Sequence, residues 1–395
     1  MAKNIPKICL VADSHALYDD RIYWKEACSL VKAGYEVHYV LAGDHDSEGV
    51  TDEGIKFYIL QRDQSSNRYF NYLLKRFAPG GLYQNLLKKA ASTKADVFHL
   101  HDLKVLRLVE RLKSLPNKPK VIYDVHEPYP ENMLDYDHGQ IPILKKQYAR
   151  LIRNWEKRKA ANCDLIITTE ENLQNRFRAY FTNKQVEIIY NYTNLPAPNA
   201  FTSENVKEFD AIYTGGITRL RGALKILEAV KIIAAKRPEF KMLFLGSWFP
   251  ASMKTDMEDF ISGNQIQENV ILKESVPYNE VVDYYRKSKI GLGIFLPIPT
   301  HRIILQIKIF EYMNFGLPIV GSNFGHINAI IQKHQCGIPV DPENPQEIAD
   351  ALVKLTEDEK LYQQFSTNGQ KAAWQFYRWE LMENKLISIY KNLMA

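Results

Sequence analysis

Residues 211–227 read AIYTGGITRLRGALKIL: a short apolar run, two glycines, a basic turn, then apolar residues at helical spacing. Ala211–Thr214 is predicted to be a strand and Ala223–Lys236 a helix, because β-branched and aromatic residues give way to a 3.6-residue period. The turn between them has an anion-binding pattern. Gly215 and Gly216 let backbone approach a ligand closely, and Arg221-Gly222 opens a helix whose first N–H groups face outward. Arg219, Arg221 and Lys225 add charge-assisted donors for phosphate. The other reading is a tight strand-to-helix turn with surface arginines.

The same alternation runs outward in both directions. Upstream, strands are predicted at Lys7–Ala12, Glu36–Ala42, Val97–Leu100, Lys120–Val125, Leu165–Thr168 and Val186–Tyr190. A helix over Arg21–Ala33 places Trp24, Ala27, Cys28 and Val31 on one face, and Gly34 ends it. Downstream, strands follow at Lys241–Leu245, Val270–Lys273, Ile290–Phe295 and Pro318–Gly321, and a helix-rich tail begins at Pro345. Between the halves, NLPAPNAFTSENV (194–206) lacks periodicity and is rich in Pro, Asn and Ser, which marks a linker. Strands alternating with helices predict parallel βαβ units. The expectation is an α/β chain of two Rossmann-like, doubly wound parallel-sheet domains, 1–198 and 205–372, with ligands beyond the carboxyl ends of the strands and a central cleft where the domains face. The helix at about 373–395 is expected to pack back on the first domain.

The chain has 395 residues, 46% hydrophobic and 25% charged, with a net charge of +5. That is ordinary for a globular enzyme of two domains. No apolar run reaches the ~18 residues of a membrane span, and the N-terminal run stops at Asp13, so a cytoplasmic location is expected. The four cysteines, Cys9, Cys28, Cys163 and Cys336, are far apart, as reduced buried thiols would be. Neither G-x-G-x-x-G nor a P-loop occurs, which weighs against dehydrogenases and P-loop NTPases.

Two segments are basic. Residues 68–94 hold Arg68, Lys75, Arg76, Lys88, Lys89 and Lys94 without an acid, and residues 145–160 hold seven cations against Glu156. They are read as a peripheral contact with anionic membrane, as a site for acidic acceptors, or as solvated helix faces. The aromatic stretch Tyr69–Phe77 is the better membrane candidate, whereas Leu144, Tyr148, Leu151, Ile152 and Trp155 read as a core-facing stripe. No nucleic-acid motif accompanies the charge. Asp135-Tyr-Asp137 reads as a solvated acidic loop rather than a metal site. His99 and His101 share a strand face, but no third ligand is visible, so they are read as a pair lining the acceptor side.

A second motif, KIFEYMNFGLPIVGSNFG, spans 308–325. Lys308 and Glu311 share a helix face; the carboxylate suits the two hydroxyls of a ribose, or the two form a surface ion pair. This run, with DDRIYWKEACSLVKAGYEVHYV (19–40), VEIIYNYTN (186–194), IYTGGITRLRG (212–222), Cys336–Pro342 and Tyr377–Glu380, resembles the group 1 glycosyltransferases, also called family 4.

The resemblance implies a GT-B fold and a retaining, metal-independent hexosyltransferase. Its co-substrate would be a UDP- or GDP-linked sugar, with no further cofactor, and its acceptor a saccharide or a lipid-linked saccharide in cell-surface polysaccharide or glycan biosynthesis. It implies that Glu311 holds the donor ribose and that Arg221 sits on the diphosphate, with Gly215, Gly216, Arg219, Lys225 and Lys308 around the donor. His126 matches an active-site histidine, with Glu127 beside it to orient it or take a proton, and Ser14 and His15 lie in the acceptor-side loop with His101. Three positions depart from the pattern: Ile303 stands where the first glutamate of E-x7-E is usual, Gly216 where an arginine is common, and Asn328 where a glutamate is usual after the glycine pair. Two other readings remain: a nucleotide-sugar epimerase on the same fold, and a non-catalytic nucleotide-sugar-binding scaffold.

Overall fold

The computed structural model describes residues 5–62, 81–135, 142–194 and 206–395. The aromatic part of the first basic segment, most of the Asp135–Asp137 motif and nearly all of the 194–206 linker lie outside them. The chain divides into two compact units, one of residues 1–191 with 379–395 and the other of 192–378.

The first unit is built on an eight-stranded sheet in the order β3-β4-β2-β1-β5-β6-β7-β8. Its strands are β1 (Lys7–Ala12), β2 (Glu36–Gly43), β3 (Ser47–Val50), β4 (Lys56–Gln61), β5 (Val97–His101), β6 (Lys120–Val125), β7 (Leu165–Thr168) and β8 (Gln185–Ile188). All pairings are parallel except β3 with β4. Strands such as β1 and β5 are buried almost end to end, which is what a parallel sheet covered on both faces demands. The chain builds outward from β1 through β2 to β4, then returns to place β5 on the other side of β1. That reversal makes the carboxyl ends of β1 and β5 a topological switch point, where such sheets bind ligands.

The second unit has a six-stranded, all-parallel sheet in the order β11-β10-β9-β12-β13-β14. Its strands are β9 (Phe209–Thr214), β10 (Met242–Gly246), β11 (Val270–Glu274), β12 (Ser288–Gly293), β13 (Ile319–Ser322) and β14 (Gly337–Val340). Its switch point falls between β9 and β12. On the other side of β9, Gly246 at the end of β10 lets that strand close against the turn after β9: a Cβ there would lie 1.8 Å from the Gly215 carbonyl oxygen.

Eleven predicted strands are present within a few residues of their expected bounds. β3, β4 and β14 were not foreseen, being short or only half buried. The crossover back to the first unit comes at Trp379 rather than 373. The helix Glu359–Phe376 stays with the second unit, and Arg378 pairs with Thr193 in an isolated parallel bridge. The last helix, Trp379–Met394, buries Trp379, Leu386, Ile389 and Tyr390 in the core that holds β1 and β2. Full burial of each side chain of this kind is worth about 1.5–3 kcal/mol.

Two helix faces differ from expectation. Over Asp20–Ala27 the first helix is π-wound, with Trp24 N donating to the Asp19 carbonyl five residues back. The wider turn shifts the phase, so Ile22, Tyr23, Ala27 and Leu30 face the core while Trp24 is 45% exposed. On the helix Pro142–Ala160, Ala149 and Ile152 are buried but Leu151 is exposed, because Glu156 takes an inward position. Glu156 there accepts a hydrogen bond from the Tyr123 hydroxyl at 2.8 Å.

Candidate functional site

In the first unit the polar residues of β1, β5 and β6 meet at the switch point. Asp124, near the end of β6, is wholly buried and held by Arg21: Nε donates to Oδ2 at 3.1 Å and Nη2 to Oδ1 at 3.1 Å. Arg21 also donates to the Ile189 carbonyl at 2.9 Å and lies 3.0 Å from Glu26. A bidentate guanidinium is the geometry that makes a buried pair tolerable. Burial works against the charge of Asp124, but Arg21 and His126 outweigh it and hold the carboxyl well below the usual range. For Glu26 burial wins and raises it well above that range.

His126 sits on this platform. Its Nε2 is 3.1 Å from Asp124 Oδ2 and 3.3 Å from His101 Nδ1, and its Nδ1 is 3.6 Å from Asp102 Oδ1. Asp102 has a left-handed backbone, φ 75°, which an Asp adopts only where its surroundings enforce it. There its amide donates to the Asp124 carbonyl at 3.0 Å. The other oxygen of Asp102 lies 2.6 Å from His15 Nε2, while His15 Nδ1 lies 2.9 Å from Asp19. Burial disfavours charge on His15, but the bonds to Asp102 and Asp19 prevail and push it up to about 10. His15 is therefore an imidazolium at neutral pH. Ser14 donates to Asp13 at 2.7 Å, as does the Tyr83 hydroxyl.

His101 does not line a surface, contrary to expectation. His99 and His101 are wholly buried, and burial pulls His101 down to about 4. His99 Nδ1 is hydrogen-bonded to the Tyr390 hydroxyl at 2.8 Å. The missing third ligand beside this pair exists in the fold, since Glu26 and Asp124 bring carboxylates within reach of both histidines, and His15, Asp102 and His126 form a second such group. In both groups a protein cation already faces the carboxylates: Arg21 in the first, His15 in the second. Glu127 is exposed and accepts from Asn132 at 3.4 Å. Asp124 and Asp102, rather than Glu127, are the carboxylates against the His126 ring. The sequence offered one signal for Asp124, its place two residues before His126, and none for Arg21.

In the second unit the glycine turn follows β9. Gly215 takes φ 99° and Gly222 φ 70°, conformations that favour glycine. Arg221 Nη1 lies 3.5 Å from the Gly216 carbonyl oxygen, and a Cβ on Gly216 would come within 2.8 Å of that nitrogen. Gly216 thus leaves room for the guanidinium. Thr218 fixes the turn by accepting from the Arg221 amide at 3.0 Å. The four cations differ in circumstance. Arg219 donates to Asp256 at 2.8 Å and Lys225 to Glu228 at 2.9 Å, both on the surface. Arg221 has no carboxylate partner among the described residues, and Lys308 Nζ has no hydrogen-bond partner.

Lys308 and Glu311 are not a surface pair, because both are buried. Glu311 accepts from the Tyr285 hydroxyl at 2.7 Å, and that hydroxyl lies 3.1 Å from Thr214 Oγ1 at the end of β9. The Tyr312 hydroxyl accepts from the Thr214 amide at 3.1 Å. Gly291 makes space for that ring, since a Cβ there would lie 2.3 Å from Tyr312 Cγ. Glu311 is in this way tied to the strand that carries the glycine turn. Ile303 ends the short helix Pro299–Ile303, and Gly325, opening the next long helix, sits close against the Arg302 and His301 carbonyls.

The model of the glycosyl transferases group 1 family matches residues 199–372, and that of glycosyltransferase family 4 matches residues 24–195. The chain belongs to the group 1 glycosyltransferases. An uncharacterised glycosyltransferase of Methanocaldococcus jannaschii is 22% identical over 315 residues, 76% of each chain. Among solved structures, the sucrose-phosphate synthase of Thermosynechococcus elongatus superposes with a TM-score of 0.75 at 15% identity, covering 99% of each chain. An Anabaena protein solved with UDP-glucose superposes with a TM-score of 0.70 at 15% identity, covering 98% of this chain and 99% of its own. The fold of this group 1 glycosyltransferase is therefore GT-B, and its reaction is glycosyl transfer from a nucleotide-sugar donor.

Proposed function

We propose that the enzyme transfers a hexosyl group, with retention, from a UDP- or GDP-linked sugar to a saccharide or lipid-linked saccharide in cell-surface polysaccharide or glycan biosynthesis. The second unit holds the donor. Gly215 and Gly216 admit the diphosphate, Arg221 and Lys308 bind it, and Glu311 takes the ribose hydroxyls. The observation that carries this reading is a pair of basic side chains without acid partners among the described residues, Arg221 and Lys308, beside a glycine turn and a tethered carboxylate. As the glycosidic bond breaks, negative charge grows on the departing diphosphate, and preorganised donors that meet it stabilise the transition state without a metal. The relative solved with UDP-glucose supports a uridine donor.

His126, with Asp124 and Asp102 fixing its ring, acts on the acceptor hydroxyl or the donor sugar; Ser14 and His15 border it. A cytoplasmic enzyme at the inner membrane face fits the basic segments. No helix among the described residues is long and apolar enough to cross a membrane. The helix Pro142–Ala160 exposes Lys146, Arg150, Lys157 and Arg158 around Leu151, which suits an anionic surface.

Calorimetric titration with UDP and GDP tests the donor site. One of them is expected to bind, and Glu311→Ala to weaken it roughly 10- to 100-fold, the worth of hydrogen bonds to a charged group. Equal binding by wild type and variant would remove Glu311 from the site. His126→Ala is expected to slow release of UDP from UDP-sugar in the presence of acceptor by on the order of 100-fold or more while leaving UDP affinity unchanged.

A further inference from the structure

Lys308 lies in the first turn of the helix Ile307–Asn314. Its Nζ is 3.5 Å from the centre of the Tyr213 ring and 5.2 Å from that of Phe295. Among the described residues no hydrogen-bond acceptor meets it. A buried ammonium with all its donors unmet is costly, and aromatic faces return only part of that cost. The groups that face it are Tyr213 from β9, Arg221 from the glycine turn, Phe295 beyond β12 and Glu311 from its own helix. Burial first, and Arg221 second, push the amine well below its ordinary range, while Glu311 works the other way. Glu311 is itself engaged by the Tyr285 hydroxyl. Burial raises Tyr213 and Tyr285, so neither ring supplies a negative charge.

A diphosphate beside Arg221 would reverse this balance. It brings the acceptors that Nζ lacks and a negative charge that outweighs the neighbouring guanidinium. We propose that Lys308 is a neutral amine in the free enzyme and binds the donor diphosphate as an ammonium, so that each nucleotide enters with one proton from solvent. The inference rests on the donor reading above. Its balance is simple: the amine gains one proton, the diphosphate stays fully ionised, and no other bond changes.

The test is calorimetry of the full chain with UDP and GDP at about pH 8, in two buffers of different ionisation heat. Above its second phosphate pKa of about 6 the nucleotide contributes no proton of its own. The wild type is expected to take up about one proton per bound nucleotide. Lys308→Met is expected to bind on the order of 10-fold more weakly with no uptake. Lys308→Arg is expected to bind without uptake, because a guanidinium arrives charged. Binding by the wild type with the same heat in both buffers overturns the inference and leaves the donor site standing, as does undiminished uptake by Lys308→Met. Absence of binding to either nucleotide overturns the donor reading, and this inference with it.

Discussion

The two switch points are built from similar residue types and handle charge in opposite ways. At the first switch point the cations Arg21, His15 and Lys104 each stand against an acid. Arg21 faces Asp124 and Glu26, His15 faces Asp19 and Asp102, and Lys104 lies 3.4 Å from Asp13. In the second unit the surface cations Arg219 and Lys225 are paired, but the basic side chains of Arg221 and Lys308, nearest the glycine turn, have no acid partner among the described residues. A self-neutralised cluster has no need of an ion and serves to hold side chains in fixed places. A cluster whose basic groups lack acid partners is prepared for an anion.

The comparison can be broken most forcefully at Asp124. Asp124→Ala removes the bidentate partner of buried Arg21 and leaves only Glu26 beside it, and is expected to cost about 3–5 kcal/mol in chemical denaturation. A loss under about 1 kcal/mol would mean that the cluster is not the internally balanced structure described. A smaller effect sharpens the other side. Arg221→Ala is expected to weaken nucleoside diphosphate binding on the order of 10-fold, whereas Arg219→Ala and Lys225→Ala, on solvated pairs, change it by less than about 3-fold. Equal losses at all three positions would replace a directed site with a diffuse basic surface.

The smallest effect is in pH dependence. His15 is raised in the folded protein to about 10, above its unfolded value of about 6.5. Its contribution is therefore complete below the unfolded value and is lost as pH rises toward the folded one. His101 is shifted the other way, to about 4, so its neutral burial costs stability as pH falls from about 6.5 toward 4. Denaturation midpoints are expected to decline on both sides of a maximum near neutrality, and His15→Gln to flatten the alkaline side alone. An unchanged alkaline slope in that variant would dissociate His15 from its two carboxylates.

Much of this was legible in the residues. β1, β6 and β7 have the predicted bounds because fully buried parallel strands are continuous apolar runs that need no knowledge of their neighbours. The glycine turn was legible for the same kind of reason: φ above zero and close backbone approach restrict the residue type locally. Half-buried β4, with no strong alternation, was not, nor was the outward turn of Trp24, since π-winding moves the phase without altering composition.

The sequence by itself determined two parallel α/β units, the glycine turn with Arg221, the helix that carries Lys308 and Glu311, and the histidine after β6. Those features rest on local spacing and on residue types with few alternatives. Only the tertiary structure decided what each charged group meets. Arg21 and Asp124 are 103 residues apart yet share a bidentate bond, His15 and Asp102 are 87 apart, and Tyr285 reaches Glu311 across 26. An isolated ionisable side chain has the same chemistry everywhere. Burial and its nearest opposite charge decide whether it becomes a cation at neutral pH like His15 or a neutral imidazole like His101, and both are set by strands that meet only when the sheet closes.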